Sequence, residues 1–194
     1  MTDTPRSLLE RLRVWSDPES WRRLVELYSP LLRTWLRRYD VSATDADDVV
    51  QEVLAIVVRE IPTFHHDLRR GAFRRWLRNI MVNRLREFWR DRGALRKSPQ
   101  GLTQERFLSQ LEDPSSPLND FWDREHDRQI LQRLMTLLEP EFEPTTWQAF
   151  RLVAVEERSV GEAAQALGLS PNAVRIAKSR VLKRLRQEAE GLVD

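Results

Sequence analysis

The chain has 194 residues, 41% of them hydrophobic and 32% charged, with a formal net charge of +2 and no cysteine. This is the composition of a soluble protein with room for one medium domain or two small ones, and it excludes disulfide staples and thiolate chemistry. The most apolar run, Val49 to Ile61, is interrupted by Gln51, Glu52, Arg59 and Glu60; it falls far short of the roughly 20 apolar residues of a membrane helix.

The N-terminus, Met1-Thr2-Asp3-Thr4-Pro5, has no export signal, so a cytoplasmic location is expected. Charge is segregated: residues 40 to 52 and 105 to 127 are acidic, whereas 69 to 97 and 171 to 186 are basic. Such separation matters more for partners than the small net charge does.

Residues 1–16 read as an N-terminal segment. Asp17-Pro18 starts a helix along which Trp21, Leu24, Tyr28, Leu31, Leu32, Trp35 and Leu36 recur at three- and four-residue spacing, with Pro30 as a kink. Thr44 with Asp47 reads as the cap and acidic first turn of a second helix. That helix runs to Glu60, can bury Val50, Val53, Leu54, Val57 and Val58, and is stopped by Pro62.

After a polar loop from Thr63 to Gly71, the residues Phe73, Leu77, Ile80, Met81, Leu85 and Phe88 mark a long helix to about Arg92. Periodicity lapses among the prolines and glycines of 94–118, read as a linker with a short helix around Glu105 to Leu111. Helices follow from Asn119 to Leu138 and through Trp147 and Phe150 to Val155. No alternating strand pattern occurs, so the expected fold is all-α, two small helical domains joined by a flexible linker.

The end of the chain is the most completely punctuated. Ser159 and Glu162 form a capping box, Gly168 supplies a left-handed stop, and Ser170 and Pro171 open another helix, which together make a helix-turn-helix. At about 100° per residue, Val174, Ala177, Val181 and Leu185 share one face of the second helix. Asn172, Arg175, Ile176, Ser179, Lys183 and Arg186 lie on the other. Amide, guanidinium, hydroxyl and aliphatic groups on one face can bond base edges and touch a thymine methyl in a major groove. Six Lys/Arg and no acid between Pro171 and Arg186 add the counter-charge that phosphates need.

Two further surfaces stand out. Asp48, Gln51, Glu52 and Ala55 line one face of the second helix, away from its valines. Arg75, Trp76, Asn79, Asn83, Arg86 and Arg90 recur along one stripe of the third. Cations, amides and an aromatic suit single-stranded DNA, following phosphates and meeting exposed bases, although Trp76 fits a core position equally well.

The run Asp45-Ala46-Asp47-Asp48-Val49-Val50-Gln51-Glu52, then Phe64, Arg70-Gly71-Ala72-Phe73-Arg74-Arg75-Trp76-Leu77, Ile80 and Asn83, resembles region 2 of the bacterial sigma-70 family. The likeness is to the extracytoplasmic-function (ECF) group, whose members have only domains two and four. In the last helix Ser170, Val174, Arg180, Leu185 and Arg186 match the region 4 pattern.

This resemblance implies a sigma factor with no catalytic activity and no cofactor or metal. Its partners would be core RNA polymerase, through the β′ clamp helices and the β flap, and promoter DNA, with an anti-sigma factor as a further family-level partner. Asp47, Asp48, Gln51 and Glu52 would grip the polymerase. Phe64, His65, His66 and Asp67 would capture minus-10 bases beside Arg75, Trp76, Asn79, Asn83, Arg86 and Arg90. Asn172, Arg175, Ile176, Ser179, Arg180 and Lys183 would read the minus-35 element. The implied domains are region 2 over 17–93 and region 4 over 119–190. Two other classes compete: a stand-alone helix-turn-helix regulator, and a metal-dependent nuclease using Asp45, Asp47, Asp48 and Glu52, which lacks a histidine within the same turns.

Overall fold

The computed structural model describes residues 7–13, 17–38, 41–64, 71–91 and 104–193. Among these the regular structure is helical: α1 (Leu8–Leu12), α2 (Pro18–Arg38), α3 (Ala43–Glu60), α4 (Ala72–Asp91), α5 (Gln104–Glu112), α6 (Pro117–Leu138), α7 (Pro144–Phe150), α8 (Val160–Leu167) and α9 (Pro171–Ala189). A π turn at Arg151–Val155 extends α7, and no described helix is long and apolar enough to cross a membrane.

Local chemistry sets most of the boundaries. Helix α1 lies inside the N-terminal segment, where no helix is predicted, and its five residues are started by a capping box. The Ser7 side chain accepts the Glu10 amide, and the Glu10 carboxylate accepts the Ser7 amide at 3.0 Å. Helix α3 is capped by Ser42, whose hydroxyl accepts the Asp45 amide at 3.2 Å, instead of by Thr44. The earlier start places Ala46 in the first turn, where it is buried with Val49 and Val50. Ser116 caps α6, with Pro117 in the first turn.

One apolar cluster gathers α1 through α6. At its centre the Tyr28 ring meets Phe73 edge-on at 5.5 Å and His126 at 5.7 Å. Trp35 lies 4.3 Å from Trp122, centroid to centroid. Burying each large side chain of this kind contributes about 1.5–3 kcal/mol.

Within the stretch read as a flexible linker, α5 buries Phe107, Leu108 and Leu111 against this cluster. Its later part is therefore core, because an apolar stripe at helical spacing outweighs the surrounding prolines. The first half of α6 joins the same core through Trp122 and Ile130, while Met135 in its second half packs beside Trp147, Phe150 and Val181. The last three helices are held by a small cluster of Ala149, Ala163, Ala164, Val174 and Ala177. Small side chains let these helices approach closely.

Candidate nucleic-acid interface

Helices α8 and α9 meet at a corner built from the backbone upward. Ser159 and Glu162 exchange both capping bonds, at 2.8 and 3.2 Å. Gly168 takes φ +65°, which lets the Leu169 amide reach back to the Ala164 carbonyl at 2.9 Å. Ser170 then caps α9, its hydroxyl accepting the Ala173 amide at 3.2 Å.

With Val174, Ala177 and Val181 buried inward, the opposite face of α9 is turned to solvent. Asn172, Arg175, Ser179, Arg180 and Lys183 are exposed, and Ile176 keeps 44% of its surface. A shallow groove lined by Arg175, Lys178, Ser179 and Arg186 runs beside it. An aliphatic residue left bare among amide, hydroxyl and guanidinium groups can touch a thymine methyl in a major groove.

Helix α4 is more divided. Arg75, Asn79, Asn83 and Arg90 are exposed. Arg86 is half-exposed and already engaged by Glu112 at 3.0 Å and Glu105 at 3.6 Å, both from α5, which raise its pKa. Trp76 is half-buried, stacked on Phe64 at 4.6 Å and tilted against Phe73 at 5.5 Å. One side of each of Trp76 and Phe64 thus faces protein. His65, His66 and Asp67 lie outside the described residues.

Of the basic residues of α4 outside the stripe, Arg74 and Arg78 turn inward beneath α6. Arg74 holds both Asp127 oxygens at 2.7 Å and Asp123 at 3.0 Å. Arg78 reaches Asn119 and Asp123, each at 2.9 Å. Burial lowers the pKa of Arg78, with Asp123 opposing.

Next to them the His126 ring is fully buried, and the same desolvation lowers its pKa, so it is held neutral. Its Nδ1 lies 2.8 Å from Asp127 and its Nε2 3.4 Å from the Tyr28 hydroxyl. The consistent tautomer donates from Nδ1 to the carboxylate and accepts from Tyr28. Burial opposes ionisation of Asp127, but His126 and Arg74 outweigh it and keep the carboxyl below its ordinary range. No sequence signal placed α6 above α4; only the alternation of acids at Asp123 and Asp127 with buried Trp122 and His126 hinted at a polar, covered face.

On α3, Asp47, Asp48, Gln51 and Glu52 are all exposed, opposite buried Val49, Val50, Val53 and Val57. Asp47 pairs with Arg33 at 2.5 Å, and Glu52 stands 3.5 Å from Arg84. The stripe is an accessible acidic surface on a rigid helix.

The family model for Sigma-70 region 2 matches residues 24–94, and that for Sigma-70 region 4 matches 143–185. The chain belongs to the sigma-70 family. Its group is the sigma-E-like, extracytoplasmic-function one. The RNA polymerase sigma-E factor of Streptomyces coelicolor is 32% identical over 162 residues, covering 81% of this chain and 78% of that protein. The sigma-E factor of Streptomyces avermitilis is 31% identical over 164 residues, covering 82% and 79%.

A solved chain from an RsbN-BldN complex covers 92% of this sigma factor and 97% of its own length, at 18% identity and a TM-score of 0.34. Such a score supports no argument from shape. The sigma factor therefore directs transcription initiation as a subunit of RNA polymerase and is not itself an enzyme. The solvent-facing stripes on α3 and α4 lie within the region 2 match, and the exposed basic face of α9 lies within the region 4 match.

Proposed function

We propose that the three exposed surfaces divide the work of initiation. The acidic stripe of α3, Asp47, Asp48, Gln51 and Glu52, docks on a basic helix of core polymerase, the β′ clamp helices in the family's terms, and region 4 meets the β flap. Arg75, Asn79, Asn83, Arg86 and Arg90 on α4, with Trp76, Phe64 and the loop His65-His66-Asp67, take the parted strand of the minus-10 element. Asn172, Arg175, Ile176, Ser179, Arg180 and Lys183 read the minus-35 major groove. The observation that carries this reading is the pairing of two separate basic faces, one rich in hydrogen-bonding groups with a bare isoleucine, the other with amides beside an aromatic pair.

Each face alone binds weakly and in a salt-dependent way, because phosphate neutralisation supplies most of the affinity. Docking on polymerase makes the second contact intramolecular and raises its effective concentration. The protein would act in the cytoplasm, where its polymerase is, and a restraining anti-sigma partner is the family-level expectation.

Transcription reconstituted with sigma-free core polymerase tests the assignment. Asp48→Lys and Glu52→Lys should abolish core binding, and Asn83→Ala should impair promoter opening while leaving core binding intact. Wild-type levels of initiation from all three variants would overturn it.

A further inference from the structure

Helix α1 lies ahead of the region 2 match, which begins at residue 24. Its Leu8, Leu9 and Leu12 are all buried in the cluster that gathers α1 through α6. Arg11 fastens the helix a second time, donating to the Ser20 hydroxyl and to the fully buried Glu188 carboxylate, each at 2.9 Å. Five residues alone would not hold a helical turn in water. Here the covered apolar side turns them into a fixed mount.

Arg13 is the C-terminal cap of this mount. A guanidinium at such a place ordinarily serves the last carbonyls of its own helix. Arg13 instead reaches a residue 51 positions away and donates from Nη2 to the Phe64 carbonyl at 2.6 Å. Phe64 stands where the 3₁₀ turn Ile61–Thr63 ends. Its amide closes the turn on the Ile61 carbonyl at 3.1 Å, but its backbone is extended, with φ −68° and ψ 115°. The Phe64 carbonyl therefore lies outside the helical bonding pattern, where a donor from elsewhere can take it.

The Phe64 ring is held separately. It stacks on Trp76 at 4.6 Å, with 28° between the planes, and meets the fully buried Phe73 edge-on at 5.8 Å. Ring contacts are broad and set no single backbone torsion, whereas a hydrogen bond from a guanidinium is short and directional. Together they fix Phe64 by its ring and by its carbonyl, and with it the half-exposed Phe64–Trp76 pair. The two arginines of α1 thus differ in kind: Arg11 is tied to the body of the protein, Arg13 to the first residue of the surface that Phe64 and Trp76 form.

We infer that Arg13 is a positioning residue for promoter opening, holding the Phe64 backbone so that the Phe64–Trp76 pair is set to receive an unstacked base of the minus-10 strand. The inference rests on assigning that pair to the minus-10 element. The physical gain is preorganisation. A base that stacks on a ring already in place does not bear the cost of ordering it, so more of the stacking energy goes into keeping the strands apart.

The test uses holoenzyme assembled from core polymerase with the unaltered sigma factor, Arg13→Ala or Arg13→Lys. Two quantities are read: the rate of opening, from 2-aminopurine placed in the minus-10 segment of a duplex promoter, and the affinity for a single strand carrying that segment. Arg13→Ala should slow opening and weaken strand binding by about tenfold each. Its affinity for core polymerase, and for a duplex carrying the minus-35 element alone, should stay within about twofold of the unaltered protein. Arg13→Lys keeps a cationic donor on a long stem and should recover most of the loss. In a Phe64→Ala background, which keeps the carbonyl and removes the ring, Arg13→Ala should add nothing.

An Arg13→Ala holoenzyme that opens promoters at the unaltered rate overturns the inference. So does a loss that lysine does not restore, that extends equally to core and minus-35 binding, or that adds in full to the effect of Phe64→Ala. If Phe64→Ala and Trp76→Ala themselves leave strand affinity unchanged, the minus-10 assignment of the pair falls and the role of Arg13 with it. If those two variants lose affinity and Arg13→Ala does not, the assignment stands and the positioning role alone is removed.

Discussion

Helix α4 carries Arg74, Arg75, Arg78, Arg84, Arg86 and Arg90, and α9 carries Arg175, Lys178, Arg180, Lys183, Arg184 and Arg186, six cations each. On α9 the neighbours α7 and α8 present alanines, and Arg175, Arg180, Lys183 and Arg186 stand in solvent. On α4 the neighbours α5 and α6 present acids, and Arg74, Arg78 and Arg86 are taken up by them. A count of basic residues therefore does not measure a DNA-binding face. What lies across from each side chain decides whether it is a structural pair or a free counter-charge.

The sharpest way to break this contrast is to remove the anchor that seats α6 on the first domain. Trp122→Ala, emptying a fully buried site against Trp35, should cost about 3–5 kcal/mol in urea unfolding. A change under about 0.5 kcal/mol would mean that α6 does not sit there in solution.

Arginines one residue apart should then separate cleanly. Arg74→Ala removes one partner from two partly buried carboxylates, which keep Arg78 and His126, and should destabilise by about 1.5–3 kcal/mol. Arg75→Ala, on the exposed flank, should stay within about 0.5 kcal/mol and show its effect in open-complex formation. Equal stability losses would erase the distinction drawn between the two faces.

On α9 the same logic predicts a purely functional loss. Arg175→Ala should leave unfolding unchanged and weaken promoter binding by about 1–3 kcal/mol if it reads a base. Uniform weakening on all duplexes, measured by fluorescence anisotropy with core polymerase, would assign it to phosphate.

The smallest effect concerns pH. The folded His126 imidazole titrates below its ordinary 6.5 because it is buried. As pH falls through that value the unfolded chain takes up a proton that the folded chain refuses, so stability declines until the folded imidazole also protonates. Asp127, held low by His126 and Arg74 against its burial, adds a second decline as pH falls below the ordinary carboxylate range. Urea midpoints between about pH 7.5 and about pH 5 should trace the first decline, and His126→Gln should flatten it.

Much of this molecule was legible in its residues. The corner from Ser159 to Pro171 is local chemistry, in which a hydroxyl, a carboxylate, a glycine and a proline at fixed spacing satisfy the backbone whatever else is present. The stripes on α3 and α9 follow from 3.6-residue periodicity, and their exposed residues are the ones that periodicity put outside. Trp76 was ambiguous for a physical reason: a half-buried ring stacked on Phe64 is both core and surface.

Helix α1 was missed because five residues are too few for a periodic pattern, although Ser7 and Glu10 are a capping signature. The positions of α5 and α6 were beyond local reading altogether. Their apolar spacing marks them as helices with a buried side, but nothing within either helix names the surface that covers it. The sequence alone determined most of the helices, the caps of the α8–α9 corner, the family and the outward chemistry of α9, since these depend on neighbours a few residues away. Only the tertiary structure decided that Arg74 and Arg78 belong to Asp123 and Asp127 and Glu188 to Arg11, because pairing across 45 to 177 positions depends on which faces the folded chain brings together.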